Sequence, residues 1–222
     1  MAGRLPTLRN SVAQFDDLVE ARIKPLRGNR VADRVFYTAS ELGDFGLLWV
    51  IYACLRALRG KPLDERAAVR AIVATGIESV LVNVLLKSLF GRGRPLEQLE
   101  HPLPLRQPLS SSFPSGHSTA AFCAATLLSE KDPAWPVYVA SAVLVATSRV
   151  YVRIHHASDV VAGMGVGLVL GRIGRAIAPL EGRKGRVAGS TERDRGARAA
   201  TGARAGRGGR ARGSARRGLR RR

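Results

Sequence analysis

Residues 114–159 read PSGHSTAAFCAATLLSEKDPAWPVYVASAVLVATSRVYVRIHHASD. Two apolar runs, from His117 to about Ser129 and from Trp135 to about Val152, flank the turn Lys131-Asp132-Pro133. Apolar stretches of this length read as helices that pack against lipid or one another, and a turn between them makes a hairpin. The hairpin brings its two outer ends together, so Pro114–His117 and Ser148–Asp159 meet on one face. Three of the four histidines lie in this stretch, at those ends.

The chemistry of the ends is specific. Pro114-Ser115-Gly116-His117 opens the stretch, and Ser148-Arg149 is followed after five residues by His155 and after three more by Asp159. Upstream, Lys87 precedes Arg94-Pro95 by six residues. Lys87, Arg94 and Arg149 supply cations, the two arginines with planar forks that match phosphate oxygens. Ser115 and Gly116 add a hydroxyl and a backbone that an anion can approach closely, and a helix opening at His117 turns its first free amides toward the same point. His155 and His117 can divide the work as nucleophile and general acid, with Asp159 four residues on to hold the His155 ring in one tautomer. The set reads as in-line phosphoryl transfer through a phosphohistidine, with arginines stabilising the charge. It requires neither a metal nor another cofactor.

These three motifs resemble the signature of the type 2 phosphatidic acid phosphatase superfamily, which also includes vanadium haloperoxidases and bacterial acid phosphatases. The resemblance runs from Lys87 to Asp159 and shows no departure at the motif positions. It implies that His155 is the nucleophile, His117 the acid that protonates the leaving oxygen and Asp159 the partner of His155. Lys87, Arg94, Ser115, Gly116 and Arg149 would bind phosphate. The membrane branch of the family hydrolyses lipid phosphates and pyrophosphates without magnesium, and the apolar runs assign this chain to that branch.

Further runs complete an all-α, integral membrane bundle of about five spans. The first is Phe45 to Leu58, extended by Phe36 to Leu42 to the roughly 20 residues that a span needs. The second, from about Ala67 to Leu89, contains Glu78 and Asn83, polar groups expected to face the bundle interior. Phe90 to Phe113 is a long loop expected to roof the site. The fifth span starts near Ala157 and reaches Leu170 or Ile177, with Gly163, Gly165 and Gly167 permitting close packing. Because successive spans alternate direction, all three motifs share one face. His101 and His156 fall outside the motifs and read as loop or interfacial residues, while Cys54 and Cys123 read as small hydrophobes.

The ends are strongly basic, and the whole chain carries a net charge of +19. Residues 1–35 form a segment with Val12, Phe15, Leu18, Val19 and Ile23 at helical spacing between basic residues, an amphipathic helix that either lies in the headgroup layer or caps the spans. It has no apolar core of signal-peptide type, so cleavage is not expected. Residues 36–180 form the membrane domain. Residues 181–222, rich in Arg, Gly and Ala, cannot bury enough surface to fold and are expected to be disordered. The tail reads as an electrostatic anchor on anionic lipid headgroups, at about 1 kcal/mol per basic residue, in preference to a loose RNA-binding segment, and no specific nucleic acid is expected. By the positive-inside rule it is cytoplasmic, which puts the active site of this multi-pass cell-membrane protein on the extracytoplasmic face. Five spans leave the basic N-terminal segment on the active-site side. Either residues 11–40 hide a re-entrant or sixth crossing, or the N-terminal helix lies on the outer surface.

The expected function is hydrolysis of a phosphomonoester or terminal pyrophosphate of a lipid, a polyprenyl or glycerolipid phosphate. Two alternatives stay open, a lipid phosphotransferase that passes the phosphoryl group to an alcohol and a non-enzymatic membrane scaffold.

Overall fold

The computed structural model describes residues 4–95 and 111–180, with side chains from residue 8 onward. Every regular element among them is helical. The chain begins with α1 (Arg4–Ile23) and α2 (Arg30–Leu42), whose start is capped by Asn29 Oδ1 accepting from the amides of Val31 (3.0 Å) and Ala32 (3.2 Å). Then follow α3 (Leu47–Ala57) and α4 (Pro62–Val80). Pro62 presets the first turn of α4, and Asp64 and Glu65 sit where the helix dipole favours anions. A π-helical stretch, Leu81–Leu86, and a 3₁₀ turn, Lys87–Leu89, prolong α4. After the Phe90–Phe113 segment come α5 (Gly116–Leu128), α6 (Trp135–Tyr151) and α7 (Ala157–Ile177). The expected roof is only partly open to description, because residues 96–110 lie outside the described residues, as do His101 and the basic tail.

Helix α5 is the centre of the bundle, packed against α4, α6 and α7. Its small residues let the neighbours close in: Ala121 and Ala124 are fully buried, and the larger Leu127 and Leu128 fill the core at its end. From the other side α7 offers glycines. A side chain at Gly163 would collide with Ser115 O, and one at Gly167 with Thr119 O, so backbone lies against backbone here. Gly165, expected to join them, faces outward with nothing within 4 Å of its Cβ position.

The outer surface is apolar. Val69, Val73, Ile77, Val80 and Val84 of α4 and its extension are at least half exposed, as are Val161 and Val169 of α7. Such a surface belongs in lipid. Among the described residues two helices, Pro62–Leu89 and Ala157–Ile177, are long and apolar enough to cross a membrane. The 17 residues of α6, 13 of α5 and 11 of α3 are shorter than that. The expected first span is not one helix. Gly43–Gly46 breaks it, with Phe45 at φ 54° and Gly46 at φ 69°, left-handed values that an α-helix cannot continue through.

At the end of the bundle away from the motifs, the tips of α3 and α5 and the starts of α4 and α6 are tied together. Arg56, 1% exposed, donates to Asp64 Oδ1 (2.9 Å), Leu128 O (2.6 Å) and Glu130 O (3.0 Å) and lies 3.3 Å from Asp132. Arg59 also pairs with Asp132. The alternation of directions expected from the apolar runs holds for these helices.

Helix α1 departs from its expected single apolar stripe. Val19 and Ile23 pack on the core, whereas Val12, Phe15 and Leu18 point outward. Its polar residues reach the α6–α7 loop at the motif end, where Asp16 accepts from Ser158 N (2.7 Å). Helix α1 thus packs beside the motif end through Asp16.

Candidate active site

The three motifs converge because α6 delivers Arg149 and His155 to the end of the bundle at which α5 begins and the α4 extension stops. His155 lies in the short α6–α7 loop and is 2% exposed. Its backbone amide and that of Ile154 both donate to Arg149 O, at 3.1 Å, which turns the chain sharply after α6. His155 Nε2 stands 3.3 Å from Arg94 Nη1. A guanidinium can only donate, so Nε2 carries the lone pair and Nδ1 the proton. Nδ1 points to Asp159 Oδ2, 3.8 Å away, longer than a hydrogen bond. Burial, with help from Arg149 and Arg94 and against the pull of Asp159, brings the His155 imidazolium down to about 3. The ring is therefore neutral and its Nε2 nucleophilic at ordinary pH.

Asp159 is fully buried and held from several sides. Its Oδ1 accepts from Arg92 Nη1 (2.6 Å), and its Oδ2 from Ser112 Oγ (2.7 Å) and His156 N (2.9 Å). His156, outside the motifs, caps α7. Arg94 also donates to Ile154 O (3.0 Å), which fixes its fork against the loop that carries His155.

Arg149 is 1% exposed. Its Nη1 reaches Ser40 Oγ, but its Nε and Nη2 meet no acceptor. Two buried, charged donors without a partner are costly unless an anion comes to them. Lys87, buried at the last turn of the α4 extension, approaches Gly116. A Cβ at Gly116 would lie 3.5 Å from Lys87 Nζ and 3.0 Å from Asn83 Oδ1, so only glycine leaves this space open. Asn83 accordingly sits beside the site and is exposed, while Glu78 is buried as expected. Ser115 is fully buried, and its Oγ accepts from Ser118 Oγ (3.0 Å) and Ser118 N (3.4 Å). The oxygen expected to face phosphate is engaged as the cap of α5.

His117 has a partner that the sequence did not reveal. Its Nε2 is 2.5 Å from Asp44 Oδ1, and Arg149 Nη1 is 3.9 Å from the same oxygen. Because a carboxylate accepts, Nε2 bears the proton and Nδ1 is left to exchange one with a ligand. The break at Gly43–Gly46 delivers Asp44 there. Its signal was present, two glycines flanking Asp-Phe inside an apolar run. Arg92, Ser112 and Asp16 were also missed. Arg92 stands two residues before Arg94, but nothing in the sequence says which carboxylate it finds.

From His117, His155 and Lys87 a groove of about 610 Å³ runs between α3 and α4, lined by Trp49 and Val50 on one side and Ala71, Ile72, Gly76 and Val80 on the other. One end gathers Lys87, His117 and His155 with Asp44 and Asn83, and the walls are mainly hydrocarbon, with Thr75 and Ser79 among them.

Residues 67–182 match the model of the PAP2 superfamily. The chain is 33% identical over 141 residues to the decaprenylphosphoryl-5-phosphoribose phosphatase of Mycobacterium tuberculosis, covering 60% of this chain and 73% of the relative. It is 34% identical over 102 residues to phosphatidylglycerophosphatase B of Bacillus subtilis, covering 40% and 48%. Among solved structures, LpxE of Aquifex aeolicus superimposes with a TM-score of 0.58 at 28% identity, over 74% of this chain and 94% of that one. A transmembrane PAP2-type phosphatidylglycerolphosphate phosphatase from Bacillus subtilis gives 0.62 at 24% identity, over 79% and 90%, a likeness of fold. With the motifs converging at one end of a helical bundle that these structures share, the chain belongs to the PAP2 superfamily.

Proposed function

We propose that this protein is a membrane lipid phosphate phosphatase that acts through a phosphohistidine on His155, without a metal. The observation that carries the reading is the pairing of two orphaned guanidinium donors with a poised nucleophile: Arg149 Nε and Nη2 lack acceptors, and His155 Nε2 presents its lone pair beside Arg94. A phosphoryl group bound there satisfies the guanidinium donors. The apolar groove between α3 and α4 suits the hydrocarbon of a lipid whose phosphate is at the motif end.

In the first step His155 Nε2 attacks phosphorus, and the phosphorus–oxygen bond to the lipid breaks in line. Arg94, Arg149 and Lys87 stabilise the charge on the equatorial oxygens. His117, protonated at Nδ1, gives that proton to the departing oxygen. In the second step Nδ1 takes a proton from water, whose oxygen attacks phosphorus and releases inorganic phosphate and neutral His155. Asp159 steadies the His155 ring while it carries positive charge.

The phosphatase names of the relatives support hydrolysis of lipid phosphates, with polyprenyl and glycerolipid phosphates both inside the class. On this reading α3, α5 and α6 add three crossings to the two long helices. Residues 1–35 form a surface segment, and the basic residues 181–222 lie on anionic lipids at the cytoplasmic side, which puts the site on the extracytoplasmic face.

The test is phosphate release from phosphatidic acid, phosphatidylglycerol phosphate and polyprenyl phosphates in detergent with excess chelator, wild type against His155→Ala. Release that survives the chelator and vanishes in the variant is expected. Equal release by both proteins would remove His155 as nucleophile, and loss of wild-type release on chelation would remove the metal-free mechanism.

A further inference from the structure

We propose that the N-terminal helix is part of the catalytic apparatus, with Asp16 and Glu20 acting as positioning residues for the His155–Asp159 pair. The proposal rests on the assignment of His155 as nucleophile.

Asp16 and Glu20 are four residues apart on α1, so they share a face, and that face lies on the loop that carries His155. Asp16 is 8% exposed. Its Oδ1 accepts from Ser158 N (2.7 Å), and its Oδ2 from Ser158 Oγ (2.8 Å) and Arg92 Nη2 (2.7 Å). The other arm of Arg92, Nη1, donates to Asp159 Oδ1 at 2.6 Å. One guanidinium thus bridges a carboxylate on α1 and the carboxylate behind the nucleophile. The bridge holds the Asp159 carboxylate in place behind the imidazole, which must become cationic as the phosphohistidine forms.

Glu20 acts on the same loop further upstream. Its Oε1 accepts from Arg153 Nη2 at 3.0 Å. Arg153 has φ 56°, a left-handed conformation unfavourable for a side-chain-bearing residue, two positions before His155. Glu20 also holds Arg27 (2.5 and 2.7 Å), which donates to Tyr151 O (2.8 Å) and Val150 O (3.1 Å) at the end of α6. The chain from Val150 to Ser158, the His155 loop and the helix ends that flank it, is therefore braced from outside by α1 and by Arg27, four residues beyond the end of α1. A helix serving only to cap the bundle would turn its apolar residues inward, yet beside Val19 and Ile23, which do, Leu8, Val12, Phe15 and Leu18 are exposed, and Asp16 and Glu20 face the loop.

The experiment uses the full chain in detergent and reads kcat and KM separately on phosphatidic acid and a polyprenyl phosphate. Asp16→Asn and Arg92→Gln should each lower kcat about tenfold or more with KM little changed, since the phosphate-binding cations are untouched. The double variant should be no slower than Arg92→Gln alone, because both act through one bridge. Asp16→Glu, which keeps the charge, should recover part of the loss, and Asp17→Asn, on the exposed side of α1, should match wild type. A role in folding alone would lower the thermal midpoint and leave kcat per folded molecule unchanged, and that result overturns the proposal. So do losses that multiply in the double variant. If Asp16→Asn does not stay folded, Arg92→Lys, which keeps the charge but not the two-armed fork, is read in its place with the same outcomes. Wild-type kcat in Asp16→Asn while His155→Ala is inactive sinks this inference only. Turnover by His155→Ala would instead bring down the nucleophile assignment on which it stands.

Discussion

Replacing Gly163 by alanine should cripple catalysis and lower stability. Gly163 lies one turn after Asp159 on α7, and a Cβ built there falls 2.5 Å from Ser115 O, 3.1 Å from Ser118 Cβ and 3.2 Å from Thr119 Oγ1. Ser115 O cannot rotate away. It is a backbone atom and accepts from Thr119 N (3.0 Å) and Thr119 Oγ1 (2.9 Å). To reach the 3.4 Å of ordinary contact the helices must separate by about 0.9 Å. The hydrogen bond from Ser115 N to Asp159 O, 3.1 Å long, spans the same interface and would stretch beyond bonding range. Alanine contributes about 1 kcal/mol through helix propensity, against about 1–3 kcal/mol for overpacking and about 1–3 kcal/mol for the buried Ser115 amide left unpaired, so a net loss of about 1–5 kcal/mol is expected. Function suffers as well. A shift of about 1 Å between the Ser115–Gly116 turn and the His155–Asp159 pair is worth on the order of 100-fold in rate. The assay is phosphate release by purified protein alongside its thermal midpoint, with Gly165→Ala as the control, since nothing lies within 4 Å of that Cβ. If Gly163→Ala retained wild-type kcat/KM, the close backbone contact would not be what registers the two halves of the site.

Asp44→Asn should lower kcat about tenfold or more on lipid phosphates by releasing His117 Nε2 from its 2.5 Å partner. On p-nitrophenyl phosphate, whose leaving group needs no proton, phosphoenzyme formation should be spared, and a burst of nitrophenolate should precede a slow steady state. The depression of His155 to about 3 fixes the sign of a pH effect. The folded protein binds fewer protons at this site than the unfolded chain, so the stability contributed is full above about 6.5 and is lost as pH falls from there through about 3. Correspondingly, kcat/KM should persist at about pH 5, where an ordinary histidine would be protonated, and an acid limb near 6.5 would contradict the burial of this ring. At the opposite end of the bundle, Arg56→Met leaves buried Asp64 without its 2.9 Å partner and removes one of two cations from Asp132, a loss of about 3–5 kcal/mol readable as a lowered thermal midpoint in detergent, with kcat of the folded fraction unchanged.

Local sequence carried a large part of this molecule. Lys87, Arg94, His117, Arg149, His155 and Asp159 stand out in the sequence because their types and spacing fit phosphoryl transfer, and their convergence is legible because a helical hairpin must return its ends to one face. Apolar runs gave the helices near their observed bounds for the same reason: hydrocarbon or its neighbours must cover each face. The first run misled, since Phe36 to Leu58 is apolar enough for one helix and only the left-handed turn at Phe45 and Gly46 splits it. Gly165 was grouped with Gly163 and Gly167 on composition, but helical phase turns it outward.

What the sequence by itself determined is the helical class, the convergence of three motifs and the chemistry they permit, because residue type and spacing along a helix are local properties. What only the tertiary structure decided is the set of partners. Asp44 reaches His117 across 73 positions, and Arg92 joins Asp16 and Asp159 across 76 and 67. Charges so far apart in sequence find one another only after apolar packing has fixed the helices, and no periodicity records which acid each cation will meet.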